Sequence, residues 1–154
     1  MKTQGGFLMS QIKLVSGRLF ERILINAGVS EFNGAQGKIL YTLWEFGDLS
    51  IVEISKRTGL AKTSLTSMLE RMERSGLITR TEDSGDRRRT VVSLTERAWA
   101  LKGAYDRVSQ RANEVYYEGF TEEEITEFEG YLRRVLKNLT DVSEKLEKSR
   151  KKGE

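Results

Sequence analysis

The sequence contains no histidine and no cysteine among its 154 residues. Their absence excludes Ser/His and Cys/His nucleophilic catalysis, thiol-based redox sensing, Fe–S clusters and the usual nitrogen and sulfur zinc sites. An enzyme would have to rely on carboxylate, lysine or tyrosine chemistry, and neither an acid/base pair nor a phosphate-binding glycine loop stands out. We therefore expect a protein that is not an enzyme and that uses no cofactor and no metal.

Proline is also absent, so no residue forces a helix to stop or kink. The hydrophobic fraction of 38% is low and the charged fraction of 32% is high for a globular protein, which is typical of long amphipathic helices that face water. No apolar run approaches the length of a membrane span, and the N-terminal residues do not resemble a signal peptide. We expect a single cytoplasmic domain without a membrane segment.

Positive charge is concentrated in the middle of the chain. The formal net charge is only +3, which is too small by itself to indicate a nucleic-acid partner. Residues 56–89 nevertheless hold nine basic and five acidic side chains. The positive and negative charges of the flanking segments roughly cancel. We therefore expect any basic surface to lie within residues 56–89.

Apolar spacing and capping residues predict three helices in the N-terminal part of the chain. A long amphipathic helix is predicted over about 7–27, a second helix follows, and a capping box opens a short third helix. Glycines end all three of these helices. The boundary signals are Gly28, the cap Asn33, Gly47, the capping box Ser50 to Glu53, and Gly59.

A fourth helix is predicted from about Lys62 to Gly76, and its two faces differ in chemistry. The spacing i, i+3, i+4, i+7 places one set of apolar residues inward. This inward set is Leu65, Met68, Leu69 and Met72. The other faces carry short polar and basic side chains. These residues are Lys62, Thr63, Ser64, Thr66, Ser67 and Arg71.

Two short β-branched segments predict a β-hairpin after this helix. They are Leu77–Thr81 and Thr90–Leu94, and a polar loop between them ends in three arginines. The charge of this loop predicts that it protrudes from the domain. The candidate residues in the loop are Asp86, Arg87, Arg88 and Arg89. We expect Asp86 to hold the Arg88 guanidinium in one orientation.

Two further helices with heptad spacing are predicted at the C-terminal end. The first is a continuous helix from Thr95 that ends near Gly119, and a capping box from Thr121 to Glu124 opens the second. The apolar residues of the last helix repeat over about three heptads. This helix could seat a partner helix.

The order helix, glycine turn, second helix and basic hairpin is that of a winged helix-turn-helix. Short outward side chains on the second of these helices would let its backbone approach the bases of a DNA major groove. Lys62 and Arg71 would reach phosphates on either side of that groove. An arginine on a thin loop can enter a narrow minor groove, where the potential is strongly negative.

The sequence resembles the MarR family of transcriptional regulators. The wing signature is Asp86-Arg87-Arg88 followed by Val92 and by Leu94-Thr95, and the resemblance also covers Ile54–Leu60, Leu69–Glu73 and Ser75–Ile78. It implies a mainly α fold with a small β-hairpin wing in a single domain over residues 1–154. Residues of about 7–32 and 96–148 would form dimerisation helices, and about 33–95 would form the winged helix-turn-helix lobe that binds DNA.

The resemblance also implies a function. Members of this family commonly form homodimers that repress nearby genes by binding a palindromic operator in double-stranded DNA. They often release the DNA when a small aromatic or anionic effector binds. By the same resemblance, Lys62 to Arg74 would be the recognition helix, Arg88 would enter the minor groove, and Asp86 would be its partner. The residues of an effector pocket remain unassigned.

The sequence departs from the family pattern at several positions. Ala61 stands where many members have a capping serine, and Ser67 stands where arginine is frequent. Ser84-Gly85 stands where a proline is common in the wing, and Ala98 replaces a frequent glycine. The absence of cysteine excludes the branch of the family that senses peroxide through a thiol.

Other interpretations of the same pattern stay open. One is a constitutive DNA-binding or transcription-complex-binding module without a ligand response, and another is a protein-interaction module that works through its heptad helices. The three arginines could also be a solvated charge run. The acidic cluster after Thr121 is explained by helix capping and the helix dipole better than by a hard-cation site.

Overall fold

The computed structural model of the chain describes the backbone of residues 1–151 and the side chains of residues 1–150. It contains seven helices and three short strands within this range, in agreement with the expected mainly α fold with a small wing. The elements are α1 (Gly5–Asn26), α2 (Gly34–Phe46), β1 (Leu49–Ser50), α3 (Ile51–Thr58), α4 (Lys62–Arg74), β2 (Ile78–Glu82), β3 (Thr90–Leu94), α5 (Glu96–Ala100), α6 (Lys102–Tyr116) and α7 (Glu122–Lys151).

The chain forms two compact units, one of residues 1–113 and one that begins at Glu114. The core of the first unit lies beneath α2, α3, α4 and the sheet. All four apolar residues that were predicted to face inward on α4 are buried. The core also contains Ile39, Leu40, Leu43, Ile54 and Val92. The faces of α4 were therefore predicted correctly from apolar spacing.

The sheet has three antiparallel strands in the order β1-β3-β2. The predicted hairpin is present as β2 and β3, with Ile78 opposite Leu94 and Glu82 opposite Thr90. The additional strand β1 pairs Leu49 with Val92. A two-residue strand carries no periodicity, so this pairing was missed in the sequence.

Helix ends are formed by the predicted capping residues. Asn33 and Gln36 make a reciprocal capping box at α2, and Ser50 and Glu53 make one at α3. Gly59 has a φ of +69°, which lets the chain reverse between α3 and α4 within a few residues. The helix-turn-helix geometry therefore follows from local signals.

The prediction of one continuous helix from Thr95 is wrong, because the structure divides this segment into α5 and α6 at Leu101. The amide of Leu101 donates to the carbonyl of Ala98 at 3.1 Å, a tighter i→i+3 bond than that of an α-helix. Ala98, in α5, is fully buried in the core. The next helix, α6, begins only at Lys102. The helix resumes when the Tyr105 amide donates to Leu101 at 3.0 Å.

The second unit contains the end of α6, the turn that follows it and α7. Tyr117 and Phe120 contact Phe128 of α7 edge-on or tilted, with ring centroids 6.5 and 6.2 Å from it. The predicted capping box of α7 is present, with the Thr121 amide 2.9 Å from a Glu124 carboxylate oxygen. Farther along α7, a row of apolar side chains is exposed within this chain. The row contains Leu136, Leu139, Val142 and Leu146.

Apolar side chains are also exposed in the first half of α1. These residues are Phe7, Leu8, Ile12 and Val15. The second half of the same helix is packed, and Leu24 is buried in the core. No helix in the described part of the chain is both long and apolar enough to cross a membrane.

Candidate nucleic-acid interface

The outward residues of α4 form one continuous polar surface. All six side chains predicted for the recognition helix are exposed, and the structure brings them together on one helix. Ala61 precedes the helix and makes no side-chain capping bond. The Thr66 hydroxyl donates to the carbonyl of Lys62 at 2.9 Å, so its proton is engaged within the helix. The surface presents short side chains with Lys62 and Arg71 at its ends.

The turn before α4 is held by side-chain hydrogen bonds. The Ser55 hydroxyl donates to the carbonyl of Leu60 at 2.8 Å, and the Thr58 hydroxyl donates to the carbonyl of Ile54 at 2.7 Å. The Thr58 oxygen in turn accepts from the amide of Leu60 at 3.3 Å. These bonds restrain the path of the chain between α3 and α4.

An ion pair between Glu73 and Arg80 joins the last turn of α4 to β2. The Arg80 Nη2 lies 2.7 Å from Glu73 Oε2, and the Arg80 amide donates to the other carboxylate oxygen at 3.1 Å. Hydrogen bonding from Arg80 lowers the pKa of Glu73. Sequence reasoning missed this pair, because no local pattern shows that the end of α4 meets the start of β2.

The wing loop is ordered by its own aspartates. Asp83 Oδ1 accepts from the amide of Gly85 at 2.7 Å and from that of Asp86 at 3.3 Å. The amide of Asp83 donates to the carbonyl of Arg89 at 2.8 Å and closes the loop. The loop therefore has internal partners although it contains no proline.

The expected contact between Asp86 and Arg88 is present. Asp86 Oδ1 accepts from the Arg88 amide at 3.0 Å and from Nε at 3.3 Å. The Arg88 side chain is nevertheless 92% exposed. The pair orients an arginine that remains available to a partner.

Arg89 differs from Arg88, because its guanidinium returns to the body of the domain. Its Nη2 lies 2.9 Å from Glu53 Oε2 on α3, and its Nε lies 3.9 Å from Asp83. Hydrogen bonds from Ser50, and then the one from Arg89, lower the pKa of Glu53 to about 2. Sequence reasoning grouped Arg89 with the other two loop arginines and gave Glu53 only a capping role.

A cavity of about 330 Å³ lies in the first unit between the end of α1 and the middle of α6. Its walls include the apolar side chains of Ile23, Val29 and Val108 and the basic residues Arg107 and Arg111. The size is at the lower end of the range for small-molecule sites. The sequence did not identify any of these residues as a pocket.

Part of the chain is similar in sequence to known transcriptional regulators. Residues 32–90 match the model of the MarR family. The chain is 31% identical over 98 residues to the uncharacterized HTH-type transcriptional regulator YfiV of Bacillus subtilis, with 58% of this chain and 61% of YfiV covered. It is 36% identical over 90 residues to the HTH-type transcriptional regulator TtmR of Methylorubrum extorquens, with 58% of this chain and 45% of TtmR covered. The chain thus spans about half of these relatives' length.

The fold is also similar to solved structures. A cysteine-to-serine mutant of MarR from E. coli, complexed with operator DNA, superposes with a TM-score of 0.74 and is 25% identical. The match covers 85% of this chain and 92% of that one. The similarity therefore extends beyond the central lobe to most of the chain.

Proposed function

We propose that the chain, whose residues 32–90 match the MarR family model, is a homodimeric transcriptional regulator of that family that binds a specific operator in double-stranded DNA. The observation that carries the proposal is the pairing of an exposed polar face on α4 with the exposed Arg88 of the wing, in one unit. The relatives named above are transcriptional regulators, and we propose no enzymatic activity for this chain. We place its action in the cytoplasm.

In this proposal α4 lies in the major groove. Thr63, Ser64 and Ser67 are short enough to let the helix approach base edges and to donate or accept hydrogen bonds there. Lys62 and Arg71 would neutralise phosphates at the groove edges. Ser67 offers a shorter reach than an arginine at that position, so the proposal assigns phosphate contacts to Lys62 and Arg71.

The wing would contact the adjacent minor groove through Arg88. Asp86 restrains the guanidinium before DNA binds, which reduces the conformational entropy lost on binding. A guanidinium also favours narrow, strongly negative minor grooves. Arg87 lies beside Arg88 in the exposed loop and would add a phosphate contact.

The exposed apolar rows of α1 and α7 support self-association. Water-exposed apolar patches of this kind mark interaction sites in proteins, and α7 keeps its apolar residues at heptad spacing. We assign residues of about 7–32 and 96–148 to dimerisation, and about 33–95 to DNA binding. Two recognition helices about one DNA turn apart would read an imperfect palindrome of roughly 15 to 25 base pairs.

We propose that the dimer represses nearby genes and that a small aromatic or anionic compound releases it from DNA. The cavity between α1 and α6 supports this part, because apolar walls with arginines suit an apolar body that carries a negative charge. Titration of aromatic carboxylates against the protein–DNA complex tests the effector. A complex that no compound dissociates would favour the constitutive DNA-binding module instead.

The test of DNA binding is fluorescence anisotropy with the DNA upstream of its own gene and a scrambled duplex, at two salt concentrations. We expect tight binding to the upstream duplex alone and a loss of at least about tenfold in Arg88→Ala. Weak, equal and salt-sensitive binding to both duplexes by both proteins would contradict the proposal. It would favour the protein-interaction module.

A further inference from the structure

The wing is tied to α3 through one carboxylate, that of Glu53. Its Oε2 accepts from the Ser50 amide at 2.8 Å and from Arg89 Nη2 at 2.9 Å. The first bond completes the capping box of α3, and the second reaches 36 residues along the chain to the end of the wing loop. One side chain thus joins the start of α3 to the wing.

Arg89 is also the residue on which the wing loop closes. Its carbonyl accepts from the Asp83 amide at 2.8 Å, and its own amide donates to the Asp86 carbonyl at 2.9 Å. The Arg89 backbone therefore contacts both aspartates that shape the loop. Fixing the Arg89 side chain on Glu53 consequently restrains the segment that presents Arg88.

The two neighbouring arginines are in different environments. The Arg88 side chain is 92% exposed, whereas that of Arg89 is 48% exposed and that of Glu53 is 43% exposed. A carboxylate beside a DNA-binding loop repels phosphate, and this repulsion opposes binding. A carboxylate at this position is compatible with tight DNA binding if the affinity gained by ordering the wing loop exceeds the affinity lost to this repulsion.

We propose that Glu53 and Arg89 are positioning residues for DNA binding: their ion pair sets the wing in place, and Arg89 is not a phosphate ligand. The inference rests on the proposed function, because it concerns how the wing meets an operator. It assigns to α3, outside the recognition helix, a residue that controls operator affinity. It also separates Arg89 from Arg87 and Arg88, which remain the arginines that face DNA.

The decisive variant is Glu53→Gln, because two explanations predict opposite signs. Glutamine keeps an oxygen that can accept from the Ser50 amide, and it removes the charge that holds Arg89. General electrostatics predicts tighter DNA binding by a protein with one negative charge less. If Glu53 positions the wing through Arg89, operator affinity instead falls by about three- to fivefold in this variant, while affinity for a scrambled duplex stays equal or rises.

The matched control is Glu82→Gln, which removes a charge at the end of β2 from an exposed side chain. We expect it to leave operator affinity equal or slightly higher. Thermal unfolding of each variant, and binding measured well below its Tm, separates altered wing placement from loss of fold. A general loss of folded protein would lower the affinity for both duplexes together.

Substitutions of Arg89 complete the test. Arg89→Gln is expected to lower operator affinity by a similar factor without changing the slope of log affinity against log salt. The double variant with Glu53→Gln should bind no more weakly than either single variant, because both changes break one contact. Arg89→Lys keeps a charge opposite Glu53 and should recover part of the affinity.

Two results would overturn the inference. One is unchanged or tighter operator binding by Glu53→Gln, and the other is a salt slope reduced by about one unit in Arg89→Gln, the mark of a lost phosphate contact. If the wild-type protein itself does not distinguish its operator from the scrambled duplex, the proposed function fails. The two failures are thus distinguished by the wild-type measurement.

Discussion

The Arg80 guanidinium donates two hydrogen bonds to one oxygen of Glu73, from Nε at 3.0 Å and from Nη2 at 2.7 Å. Together with the Arg80 amide, these bonds satisfy both oxygens of the carboxylate. They connect the C-terminal turn of the recognition helix to the first part of the wing. The two parts that are proposed to touch DNA are thereby held in one relative orientation.

Replacement of Glu73 by glutamine should lower the Tm at neutral pH, because the amide cannot pair with the Arg80 charge. The folded pKa of Glu73 lies below its ordinary value of 4.5, so the stabilisation is present above that value and is lost as pH falls through the folded pKa. Thermal unfolding should show the gap between wild type and variant shrinking in acid. Glu70→Gln, an exposed neighbour on α4, is the control and should change the Tm little at neutral pH.

Glu53 should produce a second acid-dependent effect. Its folded pKa of about 2 lies below the ordinary 4.5, so its contribution to stability is complete above pH 4.5 and is lost between about pH 4.5 and 2. We expect the difference in Tm between wild type and Glu53→Gln to be constant from pH 7 to 5 and to fall below pH 4. A difference independent of pH throughout would show that the charge of Glu53 does not stabilise the fold.

Lys62 should contribute a phosphate contact without sequence preference. Lys62→Met is expected to weaken binding to operator and scrambled DNA by similar factors and to reduce the salt slope by about one unit. Anisotropy at four or more salt concentrations measures that slope. Lys145→Met on α7 removes the same charge and should leave the slope unchanged. Equal slopes for wild type and Lys62→Met would remove Lys62 from the interface.

Leu65 should be essential for the stability of the DNA-binding lobe. Its side chain is fully buried in the core beneath α4, so Leu65→Ala should lower the free energy of unfolding by about 2 to 5 kcal/mol. Urea denaturation followed by circular dichroism measures the loss. The adjacent exposed residue supplies the control, since Thr66→Ala should change stability by no more than about 0.5 kcal/mol.

Leu139 should be required for self-association. Its side chain is 60% exposed in the middle of α7, and a charge there would be costly to bury against a second copy. Size-exclusion chromatography with light scattering should show that Leu139→Glu lowers the dimer fraction at micromolar concentration. Asn138→Glu places the same charge on a polar neighbour and should remain as dimeric as the wild type. A monomeric wild type would contradict the proposed dimer.

Tyr105 should make the fold sensitive to alkaline pH. Its ring contacts those of Phe20, Phe32, Tyr41 and Trp44 at centroid distances of 5.2 to 6.1 Å. Burial, with smaller effects from neighbouring groups, raises its pKa from 10 to about 12. Its stabilisation is therefore complete below pH 10 and is lost as pH rises through about 12. Urea denaturation at pH 8, 10 and 11 should show that Tyr105→Phe gains stability relative to wild type as pH rises.

Much of the fold could be predicted because its signals are local. The capping boxes at Ser50 and Thr121 involve residues three positions apart, and the buried face of α4 follows the helical repeat. The bond between Asp86 and Arg88 spans two positions. In each case the backbone geometry of one turn or one loop brings the partners together, so the order of residues is sufficient information.

The arrangement around the wing was decided by the tertiary structure. Pairing of β1 with β3, the contact of Glu73 with Arg80 and the return of Arg89 to Glu53 join residues that follow no common repeat. Each charged residue had several possible partners in the sequence, and the strand β1 was too short to show a pattern. The packing of α2, α3 and α4 around one core determines which of these charged residues come into contact. A contact between distant residues depends on the relative placement of whole elements, and that placement is a property of the folded core.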